Sequence, residues 1–376
     1  MNEKEIAEIR RRFNAKRSNI NHVRGCCVSS EGELLAEFDQ SLAFLTEDEN
    51  EKILSLIKKS LSGYVGRNLV DIEFSTKQVL ESEEHKTLMT IRNSALADDT
   101  AIHSLYERII ESVKMEGNYI ILLATDKYDV PSHGVDGEKR DDSEQVFTYF
   151  VCCICPIKSS KSLLGFYVSG NPFRSITADT VVAAPELGFM FPTFDDRSAN
   201  IYKALYYTRD TEADYSEFVD KVFKSEMIPM PADLQKQTFN SILEQTVSEG
   251  CNLHVVKTIH NQMNEIIEEH KERKDEEAPM IDRSKFVDVL TSGGVQSEQI
   301  NAFEERFVSE FGEKTEISPR NIVETKHFQV KTPDVVIKVN PKRTDLIKTR
   351  VIDGEKYILI SAENDVEVNG IKINIE

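Results

Sequence analysis

Apolar residues recur along this chain with two periods, and the changes from one to the other mark its segments. Near the start, Ile6, Ile9 and Phe13 fall at helical spacing beside Arg10, Arg11 and Arg12, which predicts a short amphipathic helix over 3–13. His22–Val28 and Glu33–Phe38 then flank a turn-forming Ser-Ser-Glu-Gly stretch, the pattern of an antiparallel hairpin. Thr46 followed by Glu49 is a capping box, in which each residue satisfies a free amide near the other. The helix it starts buries Ile53, Leu54, Ile57 and Leu61, and Gly63 stands where a left-handed residue would end it.

Leu69–Phe74 reads as a strand. Leu88, Ile91 and Ala95, then Ile102, Leu105, Ile109 and Val113, predict two helices broken near Asp98 and Asp99. Tyr119–Ala124, Val146–Cys155, Leu163–Val168, Leu187–Phe191 and Ile201–Tyr207 are β-rich runs that together predict one sizeable sheet. From about residue 215 the period is helical. Leu234, Phe239, Ile242 and Val247 form one stripe and Val256, Ile259, Met263 and Ile267 a second, with Gly250 between them. The charged run 270–277, closed by Ala278 and Pro279, has little to bury and reads as a linker. Phe286–Leu290 and Ile300, Phe303, Phe307 and Phe311 predict a further helix pair. From Phe328 the chain alternates as strands, with a turn at Asp353 and Gly354.

These elements define an α+β protein: an N-terminal mixed domain with a largely antiparallel sheet, an acidic helical middle region and a small β-rich C-terminal segment. The expected boundaries are 1–212 for the α+β domain, 213–277 for the helical hairpin, 278–316 for the helix pair and 317–376 for the β-rich segment.

Charge adds a constraint on partners. The net charge is −19, from 46 basic and 65 acidic residues, which opposes non-specific binding to nucleic acid or anionic membrane. Residues 214–316 hold 22 acidic and 11 basic side chains, whereas residues 1–17 hold six basic and three acidic. That asymmetry favours a protein partner or self-association through 1–17 and 214–316, and makes a nucleic-acid partner the weaker expectation. No apolar run is long enough to cross a bilayer, the first residues lack a secretory core, and the six cysteines lack the spacing of a secreted framework. A cytoplasmic protein with reduced, buried thiols is expected.

Chemistry is sparse. Phosphate loops, dinucleotide fingerprints and nucleophile elbows are missing from the sequence, and no cofactor is implied. Cys152 and Cys153 would point to opposite faces of a strand, and His254 and His260 to different faces of a helix, so no metal site is expected. The acidic stretch from Asp126 to Asp142 lacks the order of a calcium loop and reads as a mobile hairpin loop. Gly63 and Gly66 with Arg67 match a Gly-x-x-Gly clamp for a phosphate backbone, but a helix cap and a turn explain both glycines locally. The best catalytic candidates are Asp195, Asp196 and Arg197 at a strand end, with His133 as a candidate partner, the arrangement a hydrolase could use. The candidate binding residues are Arg10, Arg11, Arg12 and Arg67. A cytosolic, non-enzymatic interaction or regulatory protein is the leading expectation, ahead of a hydrolase and of an RNA- or ribosome-associated protein.

Six stretches occur in order along nearly the whole chain: Glu5–Arg11, Tyr128–Pro131, Cys153–Pro156, Phe191–Ser198, Lys331–Val336 and Thr349–Gly354. As a set they resemble the uncharacterised bacterial family called domain of unknown function 4317. The resemblance implies a bacterial, Firmicutes, cytosolic protein and transfers no activity or site residue.

Overall fold

The longest apolar runs of this chain become strands buried on both faces, and one large antiparallel sheet results. The computed structural model describes residues 1–14, 18–133, 139–158, 163–166, 173–176, 180–225, 230–247, 250–273, 275, 277–313, 315–362, 366–368 and 370–373, with backbone alone for 131–133, 139–145, 163–166 and 173–176. Two compact units divide the chain, Met1–Pro231 and Ala232–Glu376.

The first unit runs α1 (Glu3–Arg10), β1 (His22–Val28), β2 (Leu34–Ser41), α2 (Glu47–Lys59), β3 (Leu69–Glu73), α3 (Thr76–Glu81), α4 (Glu83–Asn93), α5 (Asp99–Ser112), β4 (Tyr119–His133) and β5 (Lys139–Lys158). It continues with β6 (Leu163–Phe166), β7 (Phe173–Ile176), β8 (Val181–Val182), β9 (Leu187–Phe191), β10 (Thr193–Asp195), β11 (Ser198–Asn200), β12 (Lys203–Thr208) and α6 (Ser216–Phe223). The main sheet has the order β2-β1-β4-β5-β9-β12-β3, with β8 on the end of β5. Successive side chains of a strand point to opposite faces, so each central strand feeds two cores. On β5, Phe150, Cys152 and Ile154 join one core with α4, α5 and α6, while Phe147, Tyr149, Val151, Cys153 and Cys155 join the other with α1 and α2. Covering on both sides is why these strands read as continuous apolar runs instead of the alternation usual in antiparallel sheets.

Local signals place the helix ends. The capping box of Thr46 and Glu49 forms at the start of α2, and Gly63 takes φ 105° beyond its end. Ala95, expected within a helix, instead follows the end of α4 with φ 51°, and Leu96 takes φ 66°. That reversal buries Leu96 in the core and brings Asp98 to cap α5, its carboxylate accepting from the Ala101 amide at 2.9 Å. The first unit runs past residue 212 because α6 packs Phe218, Val219, Val222 and Phe223 into the core shared by α4 and α5.

The second unit has α7 (Ala232–Thr246), α8 (Leu253–Arg273), α9 (Arg283–Ser292) and α10 (Ser297–Phe311) around one core, in which the rings of Phe239, Phe286, Phe303 and Phe307 meet tilted or edge-on. The helical hairpin and the helix pair therefore share an interior. Part of the run expected as a linker is helix, since α8 continues to Arg273. Its last turns carry Lys271–Glu268 and Arg273–Glu269 ion pairs, and His270 is buried beneath them. Among the described residues three hairpins follow: β13 (Phe328–Lys331) with β14 (Val336–Val339), β15 (Ile347–Ile352) with β16 (Glu355–Ile360), and β17 (Val366–Val368) with β18 (Ile371–Ile373).

Candidate functional site

Asp195, Asp196 and Arg197 lie on the tight turn of the β10–β11 hairpin, where Asp195 pairs with Ser198 and the two central residues take φ 47° and 60°. Two left-handed residues in a two-residue loop suit the twist of the flanking strands. The turn sends its three charges in different directions. Asp195 accepts from Thr193 Oγ1 at 3.0 Å and Asn200 Nδ2 at 2.8 Å, and meets the Met1 ammonium at 2.8 Å. Arg197 Nη1 donates to Glu8 of α1 at 2.9 Å, and Asp196 faces solvent.

The Met1 ammonium also binds Asp71 of β3 at 2.9 Å, and Lys203 approaches that carboxylate at 3.8 Å. Burial pushes both carboxyls up, but the ammonium, Asn200 and Thr193 outweigh it at Asp195 and hold that group below its usual range. Asp71 has the ammonium and Lys203 without the amide and hydroxyl, so burial wins and its pKa rises.

The basic segment is drawn into the same region. Arg12 Nε and Nη2 donate to the two oxygens of Asp126 at 3.0 and 3.2 Å, and its guanidinium lies 5.0 Å from the centre of the Tyr128 ring. Tyr149 donates to Asp126 at 3.0 Å, and Tyr128 donates to Glu8. Arg10 is half-buried and Arg11 exposed. Arg67 donates to Thr211 at 3.4 Å, in a turn where Gly66 N donates to Leu69 O. The His133 side chain lies outside the described residues, as do Lys16, Arg17 and the Asp136–Glu138 part of the acidic stretch.

Asp195, Arg197 and Arg12 thus belong to one arrangement that fastens α1 to the sheet. Its partners Glu8, Asp71 and Asp126 were not candidates in the sequence, because nothing local marks a carboxylate whose cation lies 114 residues away, as Arg12 does from Asp126. Chemically the arrangement is an internal clamp. Neither the Asp195 carboxylate nor the Arg197 guanidinium stands free to meet a ligand.

The cysteines are core residues on separate faces: Cys26 and Cys152 belong to one interior, Cys153 and Cys155 to the other. Burial pushes Cys26 and Cys153 up to about 12. His260 is buried against Phe328 and near the Glu324 carbonyl, while His254 is exposed. Among the described residues no three His, Cys, Asp or Glu side chains converge as a metal site would require.

Exposed apolar strand faces lie in the second unit. Among the described residues each C-terminal hairpin is a two-stranded sheet that pairs with no further strand. On β15–β16 one face carries Thr349, Val351, Ile358 and Ile360, all exposed, with Lys356 across from Val351 and only Ile347 at its root buried. On β17–β18 the matching face carries Val366, Val368, Ile371 and Ile373, and Ile371 is 68% exposed. An isolated two-stranded hairpin is marginal in water, and open strand edges invite pairing. The alternation from Phe328 onward carried this signal, but not which face would be covered.

A groove of about 740 Å³ lies in the same unit, lined by Phe239, Leu243, Val256, Ile259, Val323 and Phe328, with Asn240, Cys251, Lys236, Glu244 and Glu324 among its polar groups. Lys236 and Glu324 form an ion pair at 3.0 Å.

The fold and these surfaces define an α+β protein with a two-sided antiparallel sheet and a separate helical unit that carries β-hairpins. No helix among the described residues is long and apolar enough to cross a membrane. The chain belongs to the family described as Domain of unknown function (DUF4317), which matches residues 1–371. No curated protein matches it.

Proposed function

We propose that this chain is a cytosolic, non-enzymatic protein-interaction or regulatory protein whose contact surface lies on its C-terminal hairpins. The observation that carries the reading is the pair of apolar faces on β15–β16 and β17–β18, which stand in solvent with β-branched residues that a folded chain normally covers. Against a hydrolase stands the use of Asp195 and Arg197 as internal ion-pair partners. Against an RNA-binding protein stands the division of Arg10, Arg11 and Arg12, with Arg12 bound to Asp126, Arg10 half-buried and Arg11 exposed.

The test is capture of the tagged chain from its own cytosol, with an untagged copy co-expressed, at moderate salt. Mass spectrometry and nucleic-acid quantification are read on one eluate, beside a variant carrying Val351→Lys and Ile371→Lys. A stoichiometric protein, another chain or the untagged copy, is expected with the parent and lost with the variant. Recovery of the bait alone, or of stoichiometric nucleic acid, would overturn the reading.

A further inference from the structure

We propose that the tip of the β15–β16 hairpin of one copy occupies the groove between α7, α8 and residues 322–329 of a second copy, and that the reciprocal contact makes a homodimer. This rests on the interaction reading above and names its partner.

The tip is built to be presented. Val351 is 68% exposed and Ile352 43%, and they precede a two-residue turn in which Asp353 and Gly354 take φ 52° and 83°. The root of the hairpin is held on α8. Ile347 is fully buried, its carbonyl accepts from Lys257 Nζ, and Thr344 donates to Asn261 at 3.1 Å. Ile352 stands five positions beyond Ile347, a reach of roughly 17 Å at the usual rise. Two aliphatic side chains are thus held away from the interior by an anchored hairpin.

The groove is the apolar concavity that such a tip would fill. Its volume of about 740 Å³ is within the range of about 300–1,000 Å³ typical of ligand sites, large enough for several aliphatic side chains. Val256, one of its walls, is itself 40% exposed.

Charge favours a second copy as the occupant. Residues 326–360, which include β13 to β16, hold eight basic and four acidic side chains, whereas 232–316, the helices that form most of the groove, hold 18 acidic and nine basic. Lys348 and Arg350 stand on the hairpin behind the tip, Lys356 stands across from Val351, and Glu244 stands at the groove. Because one unit carries both the tip and the groove, two copies can satisfy each other through a closed two-fold contact.

Sedimentation equilibrium on the full chain over a range of concentration and salt tests this. The parent is expected to dimerise, less tightly at high salt. Val351→Lys and Val256→Glu, both at exposed positions, are each expected to raise the dimer dissociation constant about 30-fold or more, with unchanged circular dichroism. Proximity is tested with Val351→Cys, which would face the native Cys251 of the groove. Diamide should give a disulfide-linked dimer that is absent when Cys251→Ser is added. A parent monomeric at every concentration, or a dimer indifferent to both substitutions and without the cross-link, overturns the proposal. If that monomer still captures a different protein through its hairpins, self-association falls and the interaction reading stands. If it captures nothing, both fall.

Discussion

Arg12 and Asp126 form a two-point ion pair across 114 residues of sequence, with side chains 16% and 1% exposed. Removing one member of a buried pair leaves the other charge without compensation, which costs about 3–5 kcal/mol. Arg12→Ala should therefore lose about that much stability in urea unfolding, while Arg11→Ala, at an exposed neighbour, should stay within about 0.5 kcal/mol of the parent. Equal effects at the two positions would show that the clamp contributes nothing specific.

Gly188 on β9 is a close-approach position. A Cβ there would stand 2.6 Å from the Cys152 carbonyl oxygen and 3.1 Å from Ser60 Cβ at the end of α2. Backbone cannot yield as a side chain can, so Gly188→Ala should destabilise by about 1–3 kcal/mol. Gly117→Ala, where the nearest atom is 3.7 Å away, is the control, and thermal melts of the two variants should separate clearly.

His85 is 2% exposed, edge-on to Phe74 and Phe191, and bonded from Nε2 to the Ile201 carbonyl at 2.8 Å. Burial lowers its pKa below 6.5, and the carbonyl offsets only part of that. The unfolded ring takes a proton near 6.5 while the folded ring resists it, so the neutral ring's contribution is present above that pH and lost as pH falls below it. Unfolding free energies measured at pH 7.5 and 5.5 should show a smaller loss on acidification in His85→Gln than in the parent. An unchanged slope would remove His85 as a source.

Four thiols, those of Cys26, Cys152, Cys153 and Cys155, are buried with raised pKa values; burial raises Cys251 too, but it and Cys27 are only half-buried. Because the thiolate is the reactive form, a thiol reagent at pH 8 should label Cys27 and Cys251 in the native protein and the other four only in denaturant. Rapid native labelling at Cys152 or Cys153 would contradict the two-sided core.

What the sequence determined alone is local. The capping box at Thr46 and Glu49, the stripe of Leu54 and Ile57, the turn at Asp353 and Gly354 and the apolar runs of β4, β5, β9 and β12 are marked by residues a few positions apart, and all are present in the structure, whereas Leu163–Phe166, expected in the same sheet, pairs instead with Phe173–Ile176. The short turn at Ala95 and Leu96 escaped because neither residue favours a left-handed backbone; burial of Leu96 imposes it. Tertiary structure decided where the charges go. Asp195 and Arg197 are neighbours of Asp196 in sequence and looked like one cluster, yet strand order carries them to Met1 and Glu8, and Arg12 to Asp126. A side chain's own neighbours set helix and strand period, but an ion pair depends on which strands lie side by side, and only the completed sheet supplies that.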